Sequence, residues 1–185
     1  PGLFGKLVPS GTDAGPILPE IAEELDLSKE MRVVLCGHDQ VAAAVGSSVI
    51  KPGIATDGGG TVQCITPVFS SIPQDHILQD NHYSVVPFLQ KDTYCCYAFS
   101  FTGGSLVKWF IDNFAAQYRL DAAKRNKTVY QFMEEKMCDE PTGILVLPHF
   151  SGAATPYMDT NSKGAFIGLE LTHSPIEIFQ SIMEH

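Results

Sequence analysis

The stretch CGHDQVAAAVG, residues 36–46, follows the apolar run Met31-Arg32-Val33-Val34-Leu35 and places a glycine, a histidine and an aspartate where the pattern changes. The apolar run predicts a buried strand over 32–36. The small residues after it predict a helix over 41–49, apolar nearly all round and suited to close packing between layers. Gly37 supplies the turn, and an Asp at such a junction caps a helix by accepting hydrogen bonds from its first free amides. The doublet His38-Asp39 followed by Gln40 asks for more than a cap. His38 and Asp39 also have the form of the HD doublet of metal phosphohydrolases. Such a site needs further His and Asp ligands, and the adjoining helix offers Val, Ala, Gly and Ser.

Composition bounds the answer. The chain has 185 residues, 44% hydrophobic and 18% charged, which places it among globular proteins as one domain or pieces of two. A net charge of −9 argues against a nucleic-acid or anionic-membrane partner, since both need clustered Lys and Arg. Lys124, Arg125 and Lys127 are too few to reverse that. The five cysteines, Cys36, Cys64, Cys95, Cys96 and Cys138, show no CxxC spacing and are expected to be reduced and buried, which places the protein in the cytoplasm. No run approaches the roughly 18 apolar residues of a membrane span. The opening PGLFGKLVPSG lacks the charged start and apolar core of an export signal, and begins turn-rich without methionine, so a fragment with its beginning upstream is expected.

Along the chain the elements alternate. A short helix is predicted over 16–25 with Ile21, Ala22 and Leu25 on one face. Lys51-Pro52-Gly53 ends the small-residue helix and marks a domain boundary, with 1–52 on one side and 53–185 on the other. Beyond it, 54–57, 61–66, 83–87 and 93–101 are β-branched or aromatic runs divided by Gly, Pro, Asp and Asn, which predicts an antiparallel meander. Gly103-Gly104-Ser105 then opens a helix with Leu106, Val107, Phe110, Ile111 and Phe114 on its inner stripe. A more polar helix is predicted over 128–137, and a buried strand over 144–147.

Two further motifs carry chemistry. Thr56-Asp57-Gly58-Gly59-Gly60-Thr61 sets three glycines between two strands, as a hairpin turn or as a loop whose amides approach an anion. Thr102-Gly103-Gly104-Ser105 enters a helix whose free amides and dipole favour a phosphate, with Lys108 one turn in. The same residues also serve as simple caps, Lys108 as a solvated charge and Trp109 as core. Together with Asp39 they suit the two walls of a phosphoryl-transfer cleft.

The chain resembles the middle of an FGGY-family carbohydrate kinase. Gly164-Ala165-Phe166-Ile167-Gly168-Leu169, then seven residues to Glu177-Ile178, then Ser181-Ile182-Met183-Glu184 match the family's second signature. The run LPHFSGAATPYMDTNSKGAFIGL from Leu147, CGHDQVAAAVG and GGGT match further family motifs in the expected order from about Val8. The resemblance implies an α/β fold of two actin/hexokinase-like, ribonuclease H-like lobes, with mixed sheets and flanking helices, present only in part. Residues 1–52 would be the last part of the first, sugar-binding lobe, and 53–185 the first part of the second, nucleotide-binding lobe.

By the same resemblance Asp39 is the catalytic base, Gln40 and His38 bind the sugar, Gly60 and Thr61 grip phosphate, and Gly104 and Lys108 contact the nucleotide. Gly59 departs from the family's usual residue before Gly-Thr. ATP and Mg2+ are implied, the magnesium held through the nucleotide phosphates and residues upstream; no residue of this chain is assigned to a metal. A sugar or polyol is the implied partner, a homodimer is left open, and the chain alone is expected to be inactive. Two rival functions stand beside this one: a non-catalytic actin-like sugar sensor, and a metal phosphohydrolase using His38 and Asp39.

Overall fold

The computed structural model describes Leu3 and residues 5–185; Pro1, Gly2 and Phe4 of the turn-rich opening lie outside the described residues. The chain divides into two compact units: the residues up to Thr56 with Pro67–Ser71 and Val86–Cys95, and Asp57–Thr66 with Ile72–Val85 and Cys96–His185.

In the first unit β1 (Asp13–Pro16) pairs antiparallel with β2 (Arg32–Val34), and a bulge falls between Asp13 and Gly15. The Asp13 carboxylate accepts from Arg32 Nε at 3.0 Å and Nη2 at 2.7 Å across the pair. That guanidinium holds the Asp13 carboxyl below its ordinary range. DAGP has no apolar alternation, so β1 is invisible to pattern; Pro16 belongs to it, and α1 (Pro19–Glu24) begins three residues later than predicted, with a proline at its start. Only Ala22 of α1 is buried, while Ile21 and Leu25 are exposed. The strand read as buried is exposed at Val33 and Val34. The helix α2 (Asp39–Gly46) buries Val41 and Ala44 and leaves Ala43 exposed, so it has one packed face instead of being enclosed all round.

The four predicted strands form one sheet: β3 (Ala55–Gly59), β4 (Gln63–Phe69), β5 (Ser84–Pro87) and β6 (Tyr94–Ser100), in the order β3-β4-β6-β5. The expected meander is therefore corrected. The long connection 70–83, which contains the short helix α3 (Ile77–Asp80), carries the chain past the neighbouring position, and β6 returns to lie beside β4. Strand β4 buries Cys64, Thr66 and Val68 in strict alternation, as its period of two requires.

The core of the second unit is built on α4 (Gly104–Phe114), α5 (Ala116–Lys124), α6 (Val129–Glu134) and α7 (Pro175–Glu184), with β7 (Leu145–Leu147) paired antiparallel to β8 (Ala165–Ile167). Leu106, Phe110 and Ile111 of α4, Met133 of α6, Val146 of β7, and Phe179 and Ile182 of α7 form one buried cluster. Of the predicted stripe, Val107 is partly buried and Phe114 exposed, its ring lying 5.5 Å from that of Phe110. Capping boxes start two of these helices. Thr128 pairs reciprocally with Gln131 at α6, and Ser174 with Glu177 at α7, where Pro175 follows the cap.

Of the five cysteines, Cys64, Cys95 and Cys96 are buried, as expected; Cys36 and Cys138 are exposed, against expectation. Burial pushes the Cys96 thiol up. Among the described residues no helix is long and apolar enough to cross a membrane.

Phe179 is 3% exposed at the centre of the helical cluster. Phe179→Ala is expected to cost about 3–5 kcal/mol in urea unfolding of this unit, while Leu120→Ala on α5, 60% exposed, stays within about 0.5 kcal/mol. Comparable losses from both would show that the cluster is not the centre of stability.

Candidate active site

At the start of α2 the capping position belongs to His38, not to Asp39. The Gln40 amide donates to Asp39 Oδ1 at 2.7 Å, and more weakly to His38 Nδ1 at 3.4 Å. Asp39 is the first helical residue, and its side chain is 86% exposed with Oδ1 3.1 Å from His38 Nδ1. The N-cap position falls to His38 one residue before the expected one, while the Asp39 carboxylate still accepts from a first-turn amide, as expected of an acid at such a junction, and stays largely open to solvent. Gly37 leaves room for the turn, since a Cβ there would stand 3.2 Å from Ser10 Oγ. Among the described residues no group of three or more His, Cys, Asp and Glu could hold a metal ion, so His38 and Asp39 lack the further ligands that a phosphohydrolase centre needs.

The glycine run differs from the predicted loop. Gly58 and Gly59 lie inside β3, and the turn itself is residues 60–62, closed by Gly60 N–H donating to Val62 O at 2.9 Å. This turn is bonded onto the first turn of α4: Gly104 N–H donates to Gly60 O at 2.8 Å, and Ser105 N–H to Thr61 O at 3.2 Å. A Cβ on Gly104 would lie 2.8 Å from Gly60 O, and one on Gly103 3.0 Å from the Val62 carbonyl carbon. The two glycines are therefore needed for close backbone approach. Of the amides that the sequence offers as anion donors, those of Gly60, Gly104 and Ser105 are engaged within the fold. Below the helix start, buried Thr102 fixes the entry by donating its hydroxyl to Pro148 O at 2.6 Å.

A cleft of about 590 Å³ opens over this junction, and Gly60, Thr61, Gly104 and Lys108 all line it. The structure thus brings together four of the residues singled out in the sequence. Ser105 Oγ in the same wall is buried without a hydrogen-bond partner among the described residues, an orphan hydroxyl of the kind that marks a ligand or water position. Lys108 Nζ donates to Asp112 Oδ2 at 2.5 Å, and Arg119 binds the other oxygen of the same carboxylate. These cations, Lys108 first, hold the Asp112 carboxyl below its usual range. Trp109, expected in the core, is 37% exposed and lines the cleft, its ring 5.2 Å from Phe114 and 5.1 Å from Phe150.

Asp112, Asn113 and Tyr130 were not foreseen as cleft residues. Asp112 carries a readable signal, since it follows Lys108 at the i,i+4 spacing of a helical ion pair. Tyr130 comes from α6, far along the chain from Lys108, and the tertiary fold brings it to the cleft.

A profile of the FGGY family of carbohydrate kinases, C-terminal domain, matches residues 65–185. Ribulokinase of Anoxybacillus flavithermus is 25% identical over 194 residues, which cover 98% of this chain and 32% of that protein. Xylulose kinase of Staphylococcus epidermidis is 24% identical, with 98% of this chain and 35% of the relative covered. Gluconate kinase of Lactobacillus acidophilus superposes with a TM-score of 0.71 at 20% identity over 97% of this chain and 34% of its own, and glycerol kinase of Plasmodium falciparum with 0.64 at 20% over 95% and 33%. The chain belongs to the FGGY family of carbohydrate kinases. Its mixed α/β fold is the actin/hexokinase-like fold of these enzymes, present in part, and it spans about a third of the length of the relatives it matches.

The glycine contacts separate two roles. Gly104→Ala must displace the turn 60–62 and is expected to cost about 1–3 kcal/mol of stability. Gly60→Ala meets nothing nearer than Val62 O at 3.7 Å and should leave thermal unfolding nearly unchanged. A neutral Gly104→Ala would show that the turn is not seated on α4.

Proposed function

We propose that this chain is the central part of an ATP-dependent kinase that phosphorylates a hydroxyl of a sugar or polyol. The observation that carries the reading is the gathering of Gly60, Thr61, Gly104 and Lys108 on one cleft in a chain of the FGGY family. The names of its relatives, ribulokinase, xylulose kinase and gluconokinase, favour an acceptor among ketoses and sugar acids, and that of the similar glycerol kinase structure adds polyols. Residues 1–52 then belong to the sugar-binding lobe and 53–185 to the nucleotide-binding lobe. The protein works in the cytoplasm, where ATP is supplied.

Each residue has a role in this reading. Asp39 accepts the proton of the substrate hydroxyl as that oxygen bonds to the γ-phosphorus and the bond to the bridging oxygen breaks, releasing ADP. Its exposed carboxylate leaves lone pairs open to a substrate. His38 and Gln40, on either side, hold neighbouring sugar hydroxyls. With the amides of Gly104, Ser105 and Gly60 engaged within the fold, the phosphates are met by the Thr61 hydroxyl, the orphan Ser105 Oγ and the Lys108 ammonium. Gly60 and Gly104 contribute a wall without side chains that lets the nucleotide come close. Magnesium, when bound, neutralises phosphate charge and is held chiefly through the phosphates themselves.

The sensor alternative leaves both the exposed Asp39 and the Gly-Thr turn without a task, and the phosphohydrolase alternative lacks ligands among the described residues.

General-base catalysis contributes about 10²–10⁴-fold. Asp39→Asn in the complete protein is therefore expected to lower kcat by at least about two orders of magnitude, while calorimetric sugar and ATP affinities change only a few-fold. Near-normal turnover would sink the assignment.

A further inference from the structure

We propose that Asp112 is a positioning residue that sets nucleotide affinity: it competes with a polyphosphate for the Lys108 ammonium, and Arg119 keeps its carboxylate paired when Lys108 transfers. The inference rests on the reading of the cleft as a nucleotide site.

Three observations carry it. First, Lys108 and Asp112 both line the cleft that Gly60 and Thr61 border, so the acid and the lysine face the same ligand. Second, the carboxylate divides its oxygens between two cations, Oδ2 to Lys108 and Oδ1 to Arg119. If Lys108 leaves, Asp112 is not stranded, because the guanidinium from α5 remains on the other oxygen. Third, the partners are open to water, with side-chain exposures of 68% for Lys108, 39% for Asp112 and 49% for Arg119. Ion pairs this exposed are weak and exchange readily. A lysine suits the exchange, being a hydrated point charge on a flexible stem, whereas Arg119 is a planar fork that stays charged.

The charge arithmetic gives the direction. Lys108, Arg119 and Asp112 together carry one net positive charge. Neutralising Asp112 leaves two positive charges beside the phosphates and releases Lys108 from competition. Removing Arg119 instead leaves Asp112 to Lys108 alone, and the lysine is held more firmly against the ligand.

Binding of ATP, of ADP and of adenosine to the complete protein, measured by calorimetry, tests the proposal in Asp112→Asn, Arg119→Met, Lys108→Met and Asp112→Asn/Lys108→Met, each checked for an unchanged melting temperature. Asp112→Asn is expected to tighten ATP and ADP about two- to fivefold and Arg119→Met to weaken them by a similar factor, the range expected for exposed pairs. In the Lys108→Met background the gain from Asp112→Asn should shrink to within about 1.5-fold, since only screened through-space attraction is left. Adenosine, which has no phosphates, should bind all variants alike. Weaker or unchanged ATP binding in Asp112→Asn, or an equal gain with and without Lys108, overturns the proposal while leaving the nucleotide site standing. Absence of ATP and adenosine binding from every form, the unsubstituted protein included, overturns the nucleotide reading of the cleft and this inference with it.

Discussion

Two backbone hydrogen bonds, from the Gly104 and Ser105 amides to the Gly60 and Thr61 carbonyls, fasten the β3–β4 turn to the head of α4. A helix begins with amides that its own backbone cannot satisfy, and a tight turn presents carbonyls that need donors. Each solves the other's problem, provided that the two backbones approach more closely than a Cβ allows. Gly103 and Gly104 meet that condition. From this junction α4 runs with one face, Leu106, Phe110 and Ile111, against α6, β7 and α7, and with Lys108 and Trp109 toward the cleft. The same helix therefore joins the hydrophobic cluster to the site.

The junction also decides what chemistry its residues can do. An amide that donates to a carbonyl is not available to a phosphate, so a glycine-rich turn followed by a glycine-rich helix start is not automatically an anion cradle. Here Thr61, Ser105 and Lys108 keep polar side chains on the cleft wall beside those engaged amides. Lys108 in turn is shared with Asp112, which is itself shared with Arg119. The cleft carries an adjustable positive charge on its wall, set by ion pairs that water screens and that cost little to exchange.

What was legible in the sequence was whatever depends on near neighbours. The four β-rich runs of the central sheet, most of the apolar stripe of α4, and the glycines and Lys108 are local patterns with local causes. Thr128 does begin α6 as a cap, within a residue of the predicted start. What was not legible depends on contacts made later. DAGP becomes β1 only because Arg32 and Val34 come beside it. The exposure of Val33, Val34, Cys36 and Cys138 follows from which elements pack over them, and a sequence read alone cannot say. The β3-β4-β6-β5 order turned on the route of 70–83, which carries no repeating pattern. In the site, Asp39 was correctly placed at the head of a helix, where it does accept from a first-turn amide, but the N-cap position itself falls to the histidine one residue earlier.

The central claim is phosphoryl transfer to a sugar or polyol hydroxyl, and product analysis tests it most directly. The complete protein would be incubated with magnesium, ATP labelled in its γ-phosphate and a panel of ketoses, polyols and sugar acids, and the products resolved by mass. The account predicts that one acceptor gains the labelled phosphoryl group in equal amount to the ADP formed, with little ADP in its absence. ADP and free phosphate released at the same rate with every acceptor, or with none, would contradict it.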